Sequence, residues 1–484
     1  MTTSTEFDVV VIGAGPGGYV AAIRCAQLGL KTACIDDWNN ADKKPSPGGT
    51  CLNVGCIPSK ALIESSELYE HTLHDHAAHG IKVKDVTLDL KTMLARKDKV
   101  VTELTSGVAA LFMVNKITFF HGKGVLKADK NVDVAMSDGS AKSLQAKNII
   151  IATGSSPTEL GVAPYENDTI VDSTGALAFD KVPKKLGIIG AGVIALELGS
   201  VWRRLGSEVT LFKSRNNFLP EADVEIGKEA LTQFTTQGLS FCMGVKITAC
   251  TVGGAGKNKK VTVEYEDEAG KQTSTFDKLI VAVGRAPNSS GVLDESSAIK
   301  IDDRGFVVVD EFCRTNVSGV YAIGDLVRGP MLAHKGSEEG VVVAELIGGH
   351  KPLPIDLDTV PSVIYTSPEI AWVGKTEQEV KAANIPFKVG KFPFSANGRA
   401  RAINNTVGFI KVIAHAETDR ILGVHMIGPQ SSELIGQAKI AMEFGSSSED
   451  LAMTMFAHPT LAETFHEAAL SVDGRAIHAV QKKK

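Results

Sequence analysis

Two cysteines, Cys51 and Cys56, stand five positions apart in the segment 48–60, GGTCLNVGCIPSK. Thiolate attack and thiolate departure need two sulfurs within reach, and one irregular helical turn can bring this spacing together. Two buried cysteines or half of a zinc site are the alternatives, but zinc usually needs closer pairs with a second pair or histidines. The pair therefore predicts a redox-cycling disulfide. Lys60, one helical turn beyond Cys56, is either a solvated side chain or a cation that stabilises a nearby thiolate.

A glycine-rich turn follows the first apolar run, residues 7–12. Gly13, Gly15 and Gly18 match the dinucleotide-binding pattern, in which they give a tight turn, close approach of a pyrophosphate and close helix packing. The free N–H groups and the positive end of the following helix would face the phosphates. The next strand ends at Asp36, whose carboxylate can accept hydrogen bonds from ribose hydroxyls.

The same unit occurs a second time further along the chain. Its turn contains Gly190 and Gly192, with Ala195 in place of the third glycine. In both copies the strand after the helix ends 23 positions beyond the first glycine, at Asp36 and at Lys213. Each copy closes with an apolar strand and a glycine, Gly154 in the first and Gly284 in the second. Two such units predict an α/β fold with two Rossmann-like domains that bind two dinucleotides together.

Length and composition limit the alternatives. The chain has 484 residues, enough for roughly three domains. Its 51 basic and 56 acidic residues give a net charge of -5, so we expect no nucleic-acid partner. Apolar runs are strand-sized, which predicts no membrane span, and the N-terminus lacks a secretory signal. Because no export signal is found, we expect a cytoplasmic protein, and because the seven cysteines show no framework spacing, we expect any disulfide to have a chemical role.

These features resemble the pyridine nucleotide-disulfide oxidoreductase family, and the resemblance covers essentially the whole chain. Besides the segment 48–60, it rests on YAIGD at 321–325 and AHPTLAE at 457–463. The nearest likeness is to members that oxidise dihydrolipoamide. It implies an FAD-dependent enzyme that oxidises dihydrolipoamide to lipoamide through a Cys51–Cys56 disulfide and reduces NAD(P)⁺. It also implies a homodimer that serves the lipoyl-bearing domain of a 2-oxo acid dehydrogenase or glycine cleavage complex.

The resemblance implies roles for individual side chains. Cys51 matches the thiol that exchanges with substrate, and Cys56 matches the thiol that contacts the flavin. Lys60 and Glu197 match a pair beside the flavin ring, and Asp325 matches the acid that binds the ribityl chain. The other implied FAD-binding positions are Gly13, Gly15, Gly18, Asp36 at the adenosine ribose, Gly124, Thr153, Gly154 and Ala333. The implied NAD(P)-binding positions are Gly190, Gly192, Ala195, Lys213, Arg215 and Gly284.

A histidine and a carboxylate stand close together near the C-terminus, at His458 and Glu463. A histidine before proline is often structural, but a carboxylate can orient an imidazole that shuttles a proton at neutral pH. In the family this dyad comes from the other subunit and faces Cys51, which implies an obligate dimer with a C-terminal α+β dimerisation domain. The implied domains are 1–155 for FAD, 156–284 for NAD(P), 285–356 as a central domain completing the FAD site, and 357–484 as the interface. We interpret the remaining histidines and cysteines of interest as packing residues: His334, His466, Cys25, Cys34, Cys242, Cys250 and Cys313.

One position departs from the NAD-linked members of the family, which usually have an acid at the end of the second unit's second strand. Here that position is Lys213, and Arg215 follows after a serine. Two cations and a hydroxyl suit a 2′-phosphate, for which arginine is well shaped. Ala195 in place of the third glycine is a variant of NADPH-linked relatives. These residues favour NADP, whereas the overall resemblance favours NAD, and the alternative is that both cations are solvated.

Other functions stay open at this level. An NADPH-dependent glutathione-type disulfide reductase fits Lys213 and Arg215, but IPSK at 57–60 and TLAE at 460–463 favour the lipoamide side. A mercuric reductase would need paired cysteines near the C-terminus to relay the metal. The non-enzyme alternative is a mainly structural component of a 2-oxo acid dehydrogenase complex, which needs a partner surface that the sequence does not identify.

Overall fold

A computed structural model describes residues 5–166, 168–256 and 259–480 of the chain. Its first unit contains, in order, β1 (Thr5–Ile12), α1 (Pro16–Gln27), β2 (Thr32–Asp36), α2 (Gly49–Val54), α3 (Cys56–His74), α4 (Leu90–Val114), β3 (Thr118–Leu126), β4 (Asn131–Met136) and β5 (Ala141–Ile151). β1 pairs in parallel with β2 and β5, and β2 pairs in parallel with β3. β3, β4 and β5 form an antiparallel meander. The unit therefore begins with the strand, turn and helix that the sequence predicts.

The turn between β1 and α1 requires glycine for steric reasons. Gly13 has φ +102°, and a Cβ there would lie 2.3 Å from the carbonyl oxygen of Ala152. A Cβ on Gly18 would lie 1.9 Å from the carbonyl oxygen of Gly13. α1 can therefore begin close to the sheet, and no side chain caps its N-terminus at Gly15. Its first N–H groups are left available to a ligand.

The second unit repeats this arrangement. Its elements are β6 (Ser155–Pro157), β7 (Ile170–Val171), α5 (Ser173–Ala176), β8 (Lys185–Ile189), α6 (Val193–Arg204), β9 (Glu208–Lys213), α7 (Val224–Thr236), β10 (Leu239–Met243), β11 (Lys246–Gly253), β12 (Lys260–Asp267), β13 (Gly270–Phe276), β14 (Lys278–Val281) and β15 (Arg285–Pro287). β10, β9, β8, β14 and β7 lie side by side in that order, all parallel. β11, β12 and β13 form a separate antiparallel sheet. β6 and β15 pair antiparallel where the chain passes from the first unit to the second and back.

The remaining elements return to the first unit and then form a C-terminal domain. They are β16 (Val320–Ala322), α8 (Ala333–Ile347), β17 (Ser362–Ile364), β18 (Glu369–Gly374), α9 (Glu377–Ala382), β19 (Phe387–Pro393), α10 (Gly398–Ala402), β20 (Phe409–His415), β21 (Ile421–Gly428), α11 (Ser431–Glu443), α12 (Ser448–Met453) and α13 (Glu463–Val472). β16 adds to β5 in parallel, and α8 packs on α1, where a Cβ on Gly340 would lie 2.7 Å from the carbonyl oxygen of Gly17. β17, β18, β21, β20 and β19 form one antiparallel sheet, against which α11 and α13 pack. The predicted α/β class with a C-terminal α+β domain is confirmed, while the division at 155, 284 and 356 stays a prediction.

Apolar packing joins these parts of the chain. One core cluster combines residues of the second unit with Leu62 and Ile63 of α3 and with Ile364 and Ile370 of the C-terminal sheet. Short 3₁₀ helices complete the connections at His76–His79, Ala128–Lys130, Glu295–Ser297, Gly324–Leu326, Leu357–Thr359 and Phe394–Ala396. In the described part of the chain, no helix combines the length and the apolar character needed to cross a membrane.

A buried lysine also joins the C-terminal domain to the second unit. The side chains of Lys411 in β20 and of Asp223 at the start of α7 are each 1% exposed. Nζ of Lys411 lies 2.9 Å and 3.0 Å from the two Asp223 carboxylate oxygens, and it also contacts Glu225 and Glu377. Burial alone would raise the pKa of Asp223, but hydrogen bonding and the charge of Lys411 outweigh it and lower the pKa. The buried carboxylate is therefore charged and depends on its cation.

Replacing Lys411 by methionine should destabilise this junction, because Asp223 would stay buried without its cation. We expect Lys411→Met to lower the free energy of unfolding by about 3–5 kcal/mol. The control is Lys185→Met, which removes an exposed ion pair with Glu208 and should cost under about 1 kcal/mol. Urea denaturation of both variants measures the difference, and equal midpoints would contradict this account.

The stabilisation that the Lys411–Asp223 ion pair provides should depend on pH. Because the pKa of Asp223 is lowered in the folded protein, this stabilisation is complete above the pKa of an aspartate in the unfolded chain, about 3.9. The stabilisation is lost as the pH falls through the pKa of Asp223 in the folded protein. The difference between wild type and Lys411→Met should therefore shrink in strong acid.

Candidate active site

The two cysteines lie at the junction of α2 and α3. Cys51 is in α2, Cys56 is the first residue of α3, and Gly55 stands between the two helices. A Cβ at Gly55 would lie 2.9 Å from the carbonyl oxygen of Thr50 and 3.2 Å from the Cα of Cys51, so glycine lets α3 begin this close to α2. The two cysteines do not form a disulfide in this structure. Cys51 is half-buried and Cys56 is exposed. Over the described ranges, no three His, Cys, Asp or Glu side chains are grouped as a metal site.

The two thiols differ in their affinity for a proton. A hydrogen bond from the Cys51 thiol lowers the pKa of Cys56 to about 7, and the same interaction raises the pKa of Cys51. Desolvation of the Cys56 sulfur by the surrounding protein raises its pKa, the Lys60 ammonium lowers it, and the Glu197 carboxylate raises it. Cys56 is thus the sulfur that becomes a thiolate near neutral pH. A thiol of low pKa is also the better leaving group in disulfide exchange.

A carboxylate from the second unit binds Lys60. Nζ of Lys60 lies 2.8 Å from Oε2 of Glu197, which is buried in α6. Oε1 of Glu197 accepts the N–H of Tyr365 at 3.1 Å, and the Lys60 ammonium lies 4.5 Å from the centroid of the Tyr365 ring. The structure therefore brings the predicted pair together and adds Tyr365. No sequence motif indicates Tyr365, because its contact depends on how the C-terminal sheet packs.

The first unit offers a site for FAD. Asp36 ends β2, and its carboxylate accepts the N–H of Ala14 at 2.7 Å and of Trp38 at 2.9 Å. Burial raises the pKa of Asp36, against these two hydrogen bonds. Nε2 of His121, the residue paired with Asp36 across β2 and β3, is buried without a hydrogen-bond partner among the described residues. Remaining lone pairs on Asp36, an unsatisfied ring nitrogen and free N–H groups at the start of α1 fit the adenosine and pyrophosphate of FAD.

Four further predicted FAD positions lie on β3, after β5 and at the start of α8. Gly124 is buried in β3, where a Cβ would lie 3.2 Å from the side chain of Ile35. Oγ1 of Thr153 donates to the carbonyl oxygen of Asn288 at 2.8 Å. Gly154 has φ +70°, and a Cβ there would lie more than 4 Å from every described residue other than its two chain neighbours. The fourth position, Ala333, is the first residue of α8.

Two side chains that no motif indicates hold Asp325, Ser155 directly and Arg285 through Ser155. Oγ of Ser155 donates to Oδ2 of Asp325 at 2.5 Å, and Nε of Arg285 donates to that Oγ at 2.7 Å. Burial lowers the pKa of Arg285, while the negative charges of Asp325 and Cys56 act in the opposite direction. Ser155 belongs to β6 and Arg285 to β15, so the strands that cross between the two units also position the predicted ribityl-binding acid.

A buried ion pair on α8 holds the peptide that precedes Asp325. Oε2 of Glu339 accepts the N–H of Gly324 at 2.7 Å. Nζ of Lys335 donates to the carbonyl oxygens of Gly324 and Arg328, both at 2.8 Å. Lys335 and Glu339 are each 1% exposed and lie 3.4 Å apart. Both polar groups of the Gly324 residue are therefore bound by side chains, which leaves the following acid little freedom to move.

The second unit presents a similar turn. Gly190 has φ +120°, and a Cβ there would lie 2.2 Å from the carbonyl oxygen of Ala282. Gly192 precedes α6 and gives it no side-chain cap, and Ala195 is fully buried within α6. Gly284 follows β14 with φ +137°. The N-terminus of α6 is thus open in the same way as that of α1. The two predicted specificity residues are Lys213, half-buried at the end of β9, and Arg215, exposed just after it.

The structure brings His458 and Glu463 together. Nδ1 of His458 lies 2.8 Å from Oε1 of Glu463, whose Oε2 accepts the N–H of Thr460 at 2.9 Å. Burial would raise the pKa of Glu463, but the hydrogen bonds from Thr460 and His458 outweigh it and lower the pKa. The His458 side chain is 77% exposed. A charged carboxylate therefore orients an imidazole that the single chain leaves uncovered.

Known proteins share this architecture. Residues 7–340 match the family model described as pyridine nucleotide-disulphide oxidoreductase, and residues 360–469 match the model for its dimerisation domain. A dihydrolipoyl dehydrogenase of Cupriavidus necator is 51% identical, covering 98% of this chain and 100% of its own length. A mitochondrial dihydrolipoyl dehydrogenase of Pisum sativum is 47% identical, covering 98% of this chain and 93% of its own length. The crystal structure of LpdA from Mycobacterium tuberculosis has a TM-score of 0.87 at 26% identity, covering 96% of this chain and 99% of that chain.

The charges beside the cysteine turn should move the pKa of Cys56 in opposite directions. Lys60→Met removes a cation and should raise it from about 7 to about 8. Glu197→Gln removes an anion and should lower it. A pH titration of the thiolate ultraviolet absorbance of the reduced protein measures the value, and Cys56→Ser identifies which part of the absorbance belongs to Cys56. Shifts of the same sign in both variants would exclude this electrostatic origin.

Proposed function

Because the chain belongs to the pyridine nucleotide-disulphide oxidoreductase family, we propose that it oxidises dihydrolipoamide to lipoamide and reduces NAD(P)⁺ with FAD as its cofactor. The observation that carries the proposal is the Cys51–Cys56 pair, in which one thiol has a pKa of about 7. The sequence-based predictions of the family, of a flavin-dependent oxidoreductase and of FAD with NAD(P) are confirmed by the full-length relatives. The individual residue roles are our proposal.

The cysteine pair accounts for oxidation of the substrate. One sulfur of dihydrolipoamide attacks Sγ of Cys51 in the disulfide form of the pair, and Cys56 leaves as a thiolate. The second substrate sulfur then attacks the first, which releases Cys51 and closes the lipoamide disulfide. The substrate has lost two electrons and two protons, and the cysteine pair has gained the two electrons. The low pKa of Cys56 favours the first step because it stabilises the leaving group.

When bound, FAD supplies the two-electron carrier between the reduced cysteine pair and NAD(P)⁺. Asp36 would bind its adenosine ribose, the N-terminus of α1 its pyrophosphate and Asp325 its ribityl chain. Lys60, in its ion pair with Glu197, would place a positive charge beside the ring. These side chains would bind and orient the cofactor, and the ion pair on α8 holds the peptide before Asp325 in place.

Proton transfer in this proposal requires a second copy of the chain. Residues 360–469 are a dimerisation domain, and His458 is 77% exposed in the single chain. We propose that His458 of one copy faces Cys51 of the other. A neutral imidazole there accepts the proton of the attacking substrate thiol, and Glu463 stabilises the resulting imidazolium.

The physiological substrate that we propose is a lipoyl group on its carrier domain. The carrier would belong to a 2-oxo acid dehydrogenase or glycine cleavage complex, and the support for it is the name dihydrolipoyl dehydrogenase borne by relatives that match this chain over nearly its full length. A cytoplasmic location stays a prediction.

Replacing either cysteine of the pair should abolish lipoamide turnover. We expect Cys51→Ser and Cys56→Ser each to lower kcat for dihydrolipoamide oxidation by about 10³-fold or more, because serine cannot form the disulfide. Bound FAD, measured by its visible absorbance, should be retained. Cys242→Ser, in β10, is the matched control and should keep its turnover. Turnover by either active-site variant at the wild-type rate would reject the mechanism.

A substrate comparison in the same assay addresses the remaining alternatives. The wild-type protein should act on lipoamide and dihydrolipoamide far faster than on glutathione disulfide. Reduction of glutathione disulfide by NADPH at an equal or greater rate would favour the glutathione-type reductase. No turnover of any of these substrates by FAD-loaded protein would favour a structural component.

Hybrid dimers should reveal whether the site is shared between subunits. Cys51→Ser and His458→Ala dimers should each be nearly inactive. A hybrid with one subunit of each kind contains one intact site if His458 acts across the interface, so it should have about half of the wild-type activity per dimer. Two different affinity tags allow its purification. An inactive hybrid would place both residues of each site in the same chain.

A further inference from the structure

The two nucleotide units of this chain can be compared position by position, because each joins its glycine turn to its second strand by the same hydrogen bond. The N–H of the first glycine donates to the carbonyl oxygen of Ile35 at 2.7 Å in the first unit and of Phe212 at 2.8 Å in the second. The next residue along the strand is Asp36 in the first unit and Lys213 in the second. These two side chains therefore occupy equivalent positions beside the adenosine end of each site.

The chemistry at this position is opposite in the two units. Asp36 is an acceptor, and it already accepts the N–H of Ala14. A carboxylate there suits a ribose hydroxyl and repels a phosphate. Lys213 is a donor with a positive charge, so it cannot accept a hydrogen bond from a 2′-hydroxyl but attracts a 2′-phosphate.

The cations of the second unit are available to a ligand. Lys213 is half-buried, and Arg215 and the intervening Ser214 are exposed. In the part of the chain that the structure describes, no carboxylate lies within ion-pair distance of Lys213 or Arg215, whereas Lys185 and Lys260 of the same unit each have one. The pair therefore keeps its positive charge uncompensated at the end of β9.

We infer that the second unit binds the 2′-phosphorylated dinucleotide NADP(H) in preference to NAD(H), with Lys213 and Arg215 contacting the 2′-phosphate. An arginine fork, an ammonium group and the Ser214 hydroxyl suit a phosphate dianion. For catalysis this inference rests on the proposed function, and it specifies the reaction as dihydrolipoamide and NADP⁺ giving lipoamide, NADPH and one proton. For binding it rests on the residues of the second unit alone.

Steady-state kinetics of the FAD-loaded enzyme provides the first test. The wild type should have a higher kcat/KM for NADP⁺ than for NAD⁺. Lys213→Glu and Arg215→Ala should each lower kcat/KM for NADP⁺ by about 10- to 100-fold, the effect expected for one hydrogen bond to a charged group. Lys213→Glu should also raise kcat/KM for NAD⁺. The matched control is Lys228→Glu, which reverses an exposed charge on α7 of the same unit and should leave the NADP⁺ to NAD⁺ ratio unchanged.

Binding of nucleotide fragments to the FAD-loaded enzyme provides a readout that does not depend on turnover. Calorimetry should show tighter binding of adenosine 2′,5′-bisphosphate than of adenosine 5′-monophosphate. The ratio of the two affinities should fall by about 10- to 100-fold in Lys213→Glu. In the wild type this ratio should decrease as ionic strength rises, since exposed charges are screened by salt.

The outcomes separate the inference from the proposed function. A higher wild-type kcat/KM with NAD⁺, or equal affinity for the two fragments, overturns the inference. A Lys213→Glu variant that is as active as wild type with an unchanged nucleotide ratio also overturns it. Absence of dihydrolipoamide turnover with either dinucleotide counts against the proposed function, and the preference for the bisphosphate fragment then still supports the inference.

Discussion

Glu197 is a buried carboxylate, and the relative positions of three parts of the chain depend on how its charge is satisfied. One oxygen binds Lys60 of the first unit and the other accepts the N–H of Tyr365 from the C-terminal domain. Loss of the Lys60 cation would leave the buried carboxylate without its counter-ion, and loss of the Tyr365 N–H would remove a hydrogen bond to it. α3, which begins at Cys56, is therefore held against the second unit and the C-terminal domain close to the cysteine pair.

Two further buried carboxylates each depend on a buried lysine. Lys411 is buried with Asp223 between the C-terminal sheet and the second unit, and Lys335 is buried with Glu339 beneath the loop that leads to Asp325. Apolar packing contributes more stabilisation but has little directional preference. Buried ion pairs and their hydrogen bonds require defined distances and angles, so they disfavour arrangements that would leave one partner buried and unpaired.

Local sequence determines the glycine turns and the cysteine spacing, and these were predictable because turn sterics and the reach of a thiol depend on neighbouring residues. The contacts of Ser155, Arg285 and Tyr365 join positions 130 to 170 residues apart and follow no local pattern. Lys335 and Glu339 stand four positions apart, a spacing typical of a solvated helical pair. The signal for their burial is the pair of glycines beside them on α8, because glycines spaced four apart allow another helix to approach closely.

The completion of the first unit by β16 and α8 has a consequence for biosynthesis. β16 pairs with β5 and α8 packs on α1, although both elements are made long after the strands and helix that they cover. At about 5–20 residues per second, a ribosome leaves the first sheet without its last strand for roughly ten to thirty seconds. During this interval the open edge of β5 can pair with other nascent chains. A nascent chain therefore exposes part of a strand edge that the finished protein covers, and the proposed FAD site is complete only after α8 has been made.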